Sequence, residues 1–382
     1  MNKTILIIGD CCDDKWIGGF LRNCSFHKEG FEVYCANTNY STQYFKDYNL
    51  ICKRLFIIKK NAPLFLYKLP VIRRLLYFID IRILLLSIFK QINYFHIINV
   101  HYVIPELATV KLCEHANSLI LTPWGSDILR RSKIELYLMK KIFNKSQYIT
   151  IPETRFRVDV KTIFQQSDSK FVDVGMGTDM IDYIIKNDNY TKDQAKKDLG
   201  LDERYIIVCG YNAHPEQNHC LIINAIHKIK DKLPSNVVLI FPMTYGARQP
   251  YKETVKQYVK SLGIDAVFFE KFLTQQELLT IRKGADVFIH AQKTDNNSGS
   301  LAEHLLCGTK VINASWLKYP QYESFGTPYY EFQSFEELPV VLLGAISDKD
   351  SITKPKLKEY IRGGGWGNMS LKWCKLFKSV SM

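Results

Sequence analysis

The feature that most restricts the fold of this chain is an alternation. Short, almost wholly apolar runs, each closed by turn residues, take turns with longer stretches of helical periodicity. In the first half the runs that read as strands are Thr4–Ile8, Glu32–Ala36, Ile98–Val103, Ser118–Pro123, Tyr148–Ile151 and Phe171–Val174. In the second half they are Tyr205–Cys209, Val237–Pro242, Ala266–Phe269, Val287–His290, Lys310–Asn313 and Tyr329–Glu331. Helical patterns cover Gly18–Glu29, Glu106–Ala116, Lys133–Phe143, His219–Lys232, Lys252–Leu262, Gln275–Lys283 and Ser300–Leu306. A strand without polar alternation is buried on both faces, and strands joined through helices pair in parallel. The pattern predicts an α/β chain of doubly wound, Rossmann-like parallel sheets. With 382 residues the chain is too long for one such core and suits two.

The alternation halts at Lys186–Gly200, a polar stretch, and restarts with the strand that begins at Tyr205. This divides the chain into an N-terminal domain, 1–185, a C-terminal domain, 186–355, and a tail, 356–382, whose Trp366–Phe377 stretch reads as a final helix. In open α/β sheets ligands sit beyond the carboxyl ends of the strands, so the chemistry is sought in the loops that follow them.

Charge is unevenly spread. The net charge is +13, and residues 1–150 hold 21 Lys/Arg against 11 Asp/Glu. A basic first half points to an anionic partner: nucleic acid, phospholipid headgroups or a phosphorylated acceptor. No nucleic-acid-binding motif accompanies the charge, so nucleic acid is not expected as a partner. Within Leu69–Tyr102, the apolar run is interrupted by Arg73, Arg74, Asp80, Arg82 and Lys90, too often for a membrane span. It reads as one or two amphipathic helices, which either lie on an anionic membrane surface or pack on a sheet with a charged outer side. The ten cysteines form no C-x-x-C pair, which removes support for a zinc ribbon or redox motif. The first strand follows Met1 almost at once with no signal-peptide pattern, so a reducing cytoplasm is expected.

The most informative stretch is Ala285–Ile312: a strand, a small polar loop, a helix ending at Gly308, and another strand. Ser298, Gly299 and Ser300 stand at the helix start, where free N–H groups and the positive end of the dipole suit a diphosphate. Glu303 follows on the first turn, where its carboxylate can accept from vicinal ribose hydroxyls. Ser300 and Glu303 also have the spacing of an ordinary capping box. Asp348-Lys349-Asp350 has the form of a D-x-D metal motif but lies in a late polar loop, and no metal site is expected.

This stretch resembles the donor segment of GT-B glycosyltransferases, family 4 in particular. Asp295 and Glu303 stand eight apart, and Cys307, Gly308, Val311 and Ile312 complete the family's tail. The resemblance implies a GT-B fold: two Rossmann-like domains with an interdomain cleft, and a last helix crossing back to the first domain. It implies that Glu303 holds the nucleotide ribose and that Asp295 contacts the transferred sugar, although family 4 has Glu at that position. The family's Arg and Lys after the first strand of this domain are missing. The chain has Gly210-Tyr-Asn212-Ala-His214-Pro-Glu-Gln-Asn218-His219 there. That loop, with Phe241-Pro-Met-Thr-Tyr245-Gly246 and Trp124-Gly-Ser-Asp127, resembles the transferases that move 4-acetamido-4,6-dideoxygalactose from its TDP-sugar to a lipid-linked disaccharide. Donor-side candidates are therefore Asn212, His214, Asn218, His219, Tyr245, Gly246, Lys271, Asp295, Ser298, Gly299, Ser300 and Glu303. Arg248 and Arg282 are further cations that can offset the diphosphate.

In the first half, Trp124 either stacks on a sugar or plugs the cleft. Asp127 either serves as a general base for the acceptor hydroxyl or caps the helix after it. His101 ends a strand, and Gly18-Gly19 follows the first strand, where glycine lets backbone approach a phosphate. Asp127 and Asp295 are the catalytic candidates, and Gly18, Gly19, His101 and Trp124 the acceptor-side ones. The expected activity is metal-independent sugar transfer from a nucleotide-diphosphate sugar to a polyprenyl-diphosphate-linked saccharide, in surface polysaccharide assembly at the anionic inner membrane surface. No resident cofactor is expected. A non-hydrolysing nucleotide-sugar epimerase of the same fold and a non-catalytic binding protein are the alternatives.

Overall fold

The computed structural model of the chain describes residues 3–41, 47–246, 249–295, 297–326, 328–349 and 354–381, without the side chains of residues 14 and 15. Two compact units emerge: residues 1–177 with 366–382, and residues 178–365. The first break thus falls after Gly177, ahead of the polar stretch that suggested it, and the second falls just before Trp366.

The first unit is a sheet of β1 (Lys3–Gly9), β2 (Phe31–Asn37), β3 (Arg54–Ile57), β4 (Phe95–His101), β5 (Ala116–Thr122), β6 (Tyr148–Thr150) and β7 (Phe171–Val172), in the order β3-β2-β1-β4-β5-β6-β7. All neighbouring strands run parallel. Alternate residues of β1 feed opposite cores. Ile5 and Ile7 pack with Phe20, Phe26 and the last helix, Trp366–Val380, while Leu6 and Ile8 pack with Ile81, Leu85 and Ile88 of the helix Pro70–Gln91. Burial on both faces is why the strand carries no polar residue between Ile5 and Ile8. The final helix belongs to this unit because Trp373 and Phe377, both fully buried, fill the face that Phe20 and Phe26 line.

The second unit repeats the design with β8 (Tyr205–Cys209), β9 (Val237–Pro242), β10 (Ala266–Phe269), β11 (Val287–His290), β12 (Lys310–Ala314) and β13 (Tyr330–Phe332). The order is β10-β9-β8-β11-β12-β13, again all parallel. In each sheet the order reverses beside its first strand, between β1 and β4 and between β8 and β11. Loops from either side of such a reversal part and leave a crevice at the carboxyl edge.

Several elements depart from the sequence reading: the helix expected over Gly18–Glu29 ends at Cys24, and the polar stretch Lys186–Gly200 holds the helix Lys192–Asp198. β3 is an edge strand that opens with Arg54 directly after Lys53, and its charge hid it among the polar connections. The expected helix at Glu106–Ala116 is two 3₁₀ turns, Pro105–Thr109 and Leu112–Glu114, followed at Ala116 by β5. Thr109 Oγ1 donates to the Glu106 carbonyl at 2.7 Å, and Val110 is extended, which ends the first turn. No helix among the described residues is long and apolar enough to cross a membrane.

Candidate functional site

Parallel strands put all their carboxyl ends on one edge, so the loops leaving β8, β9, β11 and β12 gather there. They are tied together: the Ala213 amide donates to the Tyr245 carbonyl at 2.7 Å, the Lys293 amide to the Glu216 carbonyl at 2.8 Å, and Trp316 Nε1 to the Gln292 carbonyl at 2.9 Å.

After β11 the helix Gly299–Cys307 begins. Its cap is Ser298, whose Oγ accepts from the Leu301 amide at 3.2 Å. Ser300 is not the cap, and no Ser300–Glu303 capping box forms. Ser300 lies inside the first turn with its buried hydroxyl lacking a hydrogen-bond partner among the described residues, and Glu303 stands in the second turn. Glu303 Oε2 meets Arg282 Nε at 3.0 Å, both side chains nearly buried. Arg282 Nη1 lies 3.3 Å from His304 Nε2, and burial beside this cation holds His304 neutral. Arg282, weighed as a cation for the diphosphate, is thus committed to Glu303. Arg248, weighed likewise, lies outside the described residues, and so does Asp350 of the D-x-D stretch; Asp348 accepts from the Tyr330 hydroxyl.

Asp295 sits in a nest of aromatic and polar groups. Its Oδ2 is 3.4 Å from His290 Nε2, which is 2.9 Å from the Tyr319 hydroxyl. Burial pushes the phenols of Tyr211, Tyr319 and Tyr322 up, and the negative charge of Asp295 adds to this in each. Gln292 Oε1 accepts from Tyr211 at 2.9 Å and from Gln217 Nε2 at 2.7 Å. His290, Gln292, Tyr211 and Tyr319 were missed from the sequence; the available signal was polar residues at the ends of otherwise apolar strands.

The loop after β8 divides its residues between two tasks. Asn212 is buried and turns its Oδ1 to the His214 amide at 2.8 Å, leaving the His214 ring exposed. Asn218 and His219 are engaged with other parts of the second unit. Asn218 adopts the left-handed conformation at the start of the helix His219–His227 and donates to the Ala291 carbonyl at 2.7 Å. His219 is fully buried against Phe241, its Nδ1 is 3.1 Å from the Tyr251 hydroxyl, and burial holds its pKa down at about 4. After β9, Gly246 has φ +99°, and a Cβ there would lie 2.5 Å from His214 Cδ2. Tyr245, 42% exposed, stacks parallel to Phe272, 80% exposed, with centroids 6.1 Å apart, beside the exposed Lys271.

The carboxyl edge of the first unit holds a second group. His101, at the end of β4, is fully buried with Nε2 2.7 Å from Asn99 Oδ1, and burial depresses its pKa to about 3. Trp124 lies over it at 6.2 Å between Trp16 at 5.8 Å and Tyr102 at 5.9 Å. The indole Nε1 of Trp124 is buried without a hydrogen-bond partner among the described residues. Asp127 fixes this loop. Its Oδ1 accepts from the amides of Trp124 at 2.9 Å and Gly125 at 2.8 Å, and its Oδ2 from that of Val103 at 2.8 Å. Asp127 is not the helix cap, which is Gly125 with φ +115°; it is fully buried, and desolvation raises its pKa to about 6. Gly18 and Gly19 are both helical and buried, the first ending a short π-helical turn, Asp14–Gly18, and the second opening the helix Gly19–Cys24, so neither offers an open phosphate-binding backbone. The glycine that geometry does require is Gly9, where a Cβ would come within 2.6 Å of Ile17 Cδ1 and 3.0 Å of the His101 carbonyl.

Residues 191–321 match the family model described as Glycosyl transferases group 1. No curated protein matches the sequence. Similar solved structures include a glycosyltransferase from Rickettsia africae ESF-5, with TM-score 0.70, 16% identity, and 99% of this chain and 98% of that one covered. The Anabaena protein Alr3699/HepE in complex with UDP and glucose gives TM-score 0.67, 13% identity and coverage of 99% and 100%. A UDP-forming alpha,alpha-trehalose-phosphate synthase from Burkholderia xenovorans gives TM-score 0.66, 12% identity and coverage of 100% of both chains. At these identities the likeness is one of fold. The chain has the two-domain α/β architecture of GT-B glycosyltransferase structures, and the group 1 match falls on residues 191–321.

Proposed function

We propose that the chain transfers a sugar from a nucleotide-diphosphate sugar to a saccharide carried on a polyprenyl diphosphate, in the assembly of a bacterial surface polysaccharide, at the cytoplasmic face of the inner membrane. The observation that carries the transferase reading is the group 1 match over residues 191–321, the stretch that supplies both Asp295 and the Ser298–Glu303 helix start. The acceptor oxygen bonds to the anomeric carbon as the bond from that carbon to the β-phosphate oxygen breaks. Negative charge grows on the leaving nucleoside diphosphate, and the hydroxyl's proton passes to its departing β-phosphate oxygen.

Each residue then has a task. The leaving diphosphate lies against the free amides at Ser298–Ser300, where donors fixed before the reaction stabilise charge as it develops. Lys271 supplies the nearby cation in place of the missing family pair. Glu303, held on one oxygen by Arg282, accepts the ribose hydroxyls with the other. The Tyr245–Phe272 stack is a flat surface for the base, and Asn212 and His214 line the same edge. Asp295 accepts from hydroxyls of the transferred sugar. In the first unit the partly exposed ring of Trp124 meets the acceptor sugar. Asp127 acts by holding that loop: three amides already occupy its oxygens. Nothing in this reading needs a metal.

A thermal-shift series with UDP, TDP, GDP, ADP and CMP tests it, since a ligand bound only to the folded state raises the melting temperature. A shift with one nucleoside diphosphate, lost in Glu303→Ala, is the expected result. No shift with any of them counts against a nucleotide-sugar enzyme.

A further inference from the structure

The helix Pro70–Gln91 is apolar on two sides. Its inner side, with Ile81, Leu84, Leu85, Ile88 and Phe89, is buried in the core of the first unit. Its outer side shows Val71 at 75%, Leu75 at 61%, Ile79 at 50%, Ile83 at 44% and Leu86 at 47% exposure. Steps of four, four, four and three residues keep these side chains on one stripe of the helix. Just before it, the 3₁₀ turn Leu64–Lys68 adds Leu64 at 67% and Phe65 at 64%. A helix that covers a sheet in water ordinarily turns a polar face outward, and contiguous exposed apolar surface of this kind marks a site of interaction.

Charge selects the partner. From Lys53 to Lys90 the sequence has nine Lys/Arg and one acid, Asp80. That acid is 1% exposed and faces inward, accepting from the hydroxyls of Tyr40 at 2.6 Å and Tyr67 at 2.5 Å and from Asn61 Nδ2 at 2.9 Å. It leaves no carboxylate of this segment outside, and through Asn61 and Tyr67 it ties the loop bearing Leu64 and Phe65 to the helix. Arg82 and Lys90 are exposed on the same side of the helix as the stripe, Lys68 and Arg73 are exposed near its start, and Arg74 remains 57% exposed while bridging Glu135 at 2.7 Å. A second copy would set this positive charge against itself. Nucleic acid would leave the aliphatic stripe without a partner. An anionic lipid surface answers both, with acyl chains for the stripe and headgroups for its cationic margin.

We propose that the outer face of Pro70–Gln91, with the Leu64–Phe65 tip, is a docking surface for anionic phospholipid on which the helix lies in the plane of the interface. The proposal rests on the reading above only for the acceptor that a membrane would bring; its own observations lie in the first unit.

The test is co-sedimentation of the full chain with phosphatidylcholine vesicles, with and without phosphatidylglycerol, beside the triple variant Leu75→Glu, Ile79→Glu, Ile83→Glu. The substituted residues are all exposed, and an unchanged melting temperature verifies the fold. The wild type is expected to bind phosphatidylglycerol vesicles on the order of tenfold or more tighter than neutral ones, to release them as salt rises, and to lose on the order of tenfold or more in the triple variant. Wild-type protein that stays in the supernatant, or a variant that binds equally, overturns the proposal. So does a wild-type dimer in sedimentation velocity that the variant converts to monomer without any vesicle binding. Nucleotide-induced melting shifts, measured on the same samples, separate the two readings: vesicle binding without any nucleotide shift sinks the transferase and spares the docking surface, and the reverse result does the opposite.

Discussion

Arg282 and Glu303 form a buried ion pair, Nε to Oε2 at 3.0 Å, between two helices of the second unit. Removing one partner of such a pair leaves an uncompensated charge in a dry site and costs about 3–5 kcal/mol. Glu303→Ala is therefore expected to lower the melting temperature as well as abolish the nucleotide shift. The double change Arg282→Met, Glu303→Leu fills the site with apolar volume and is expected to restore most of the stability. It is not expected to restore the nucleotide shift. Melting curves with and without nucleotide read both quantities, and recovery of the shift in the double variant would refute the ribose role.

Asp127 makes stability depend on pH. Burial raises its pKa from 3.8 to about 6 in the folded chain. The folded state then holds a proton that the unfolded state has released, so the contribution is fully present below the lower value and is lost as pH rises through the upper one. At 1.36 kcal/mol per unit, the loss is about 3 kcal/mol. Denaturant unfolding of the wild type and Asp127→Asn between acid and neutral pH measures it. The stability of the wild type relative to the variant is expected to fall by about that amount as pH rises, and a constant difference would show that Asp127 does not titrate there.

Trp373 holds the last helix to the first unit. It is fully buried, donates from Nε1 to the Gly175 carbonyl at 2.9 Å, and meets Phe20 edge-on at 4.9 Å. Trp373→Ala is expected to cost about 3–5 kcal/mol in urea unfolding. Deleting residues 366–382 uncovers Phe20 and Phe26 together and is expected to leave the chain insoluble.

Gly246 couples backbone shape to the exposed His214. With φ +99° and a Cβ position 2.5 Å from the His214 ring, Gly246→Ala combines strain with a clash. It is expected to cost about 1–3 kcal/mol and to weaken nucleotide binding. Gly30→Ala is the control, since Gly30 has φ +83° but nothing within 4 Å of its Cβ position, so it is expected to lower stability without touching the nucleotide shift. Equal nucleotide responses in the two variants would remove His214 from the site.

The buried strands and their parallel pairing are legible in the linear run of apolar residues. β8, β9 and β11 fall on the expected residues because an almost wholly apolar run has only one place to go, between two layers of helices, and β10, a half-buried edge strand, was legible because its run Ala266–Phe269 is apolar as well. β3 escaped because an edge strand needs no such run. The stretch that matches the group 1 model was legible for a different reason: Asp295, Glu303 and Gly308 occur at fixed spacing along one short stretch of chain. Where each polar side chain points is set by the fold. Asn218 and His219 share a loop with Asn212 and His214, yet the first two are spent on the Ala291 carbonyl and the Tyr251 hydroxyl. Arg282 reads as one basic residue among many until the fold sets it against Glu303. Asp80 reads as one more charge interrupting a helix until Tyr40, Tyr67 and Asn61 close over it. A side chain's partners come from elements distant in sequence, and burial makes satisfying them obligatory; local pattern records neither.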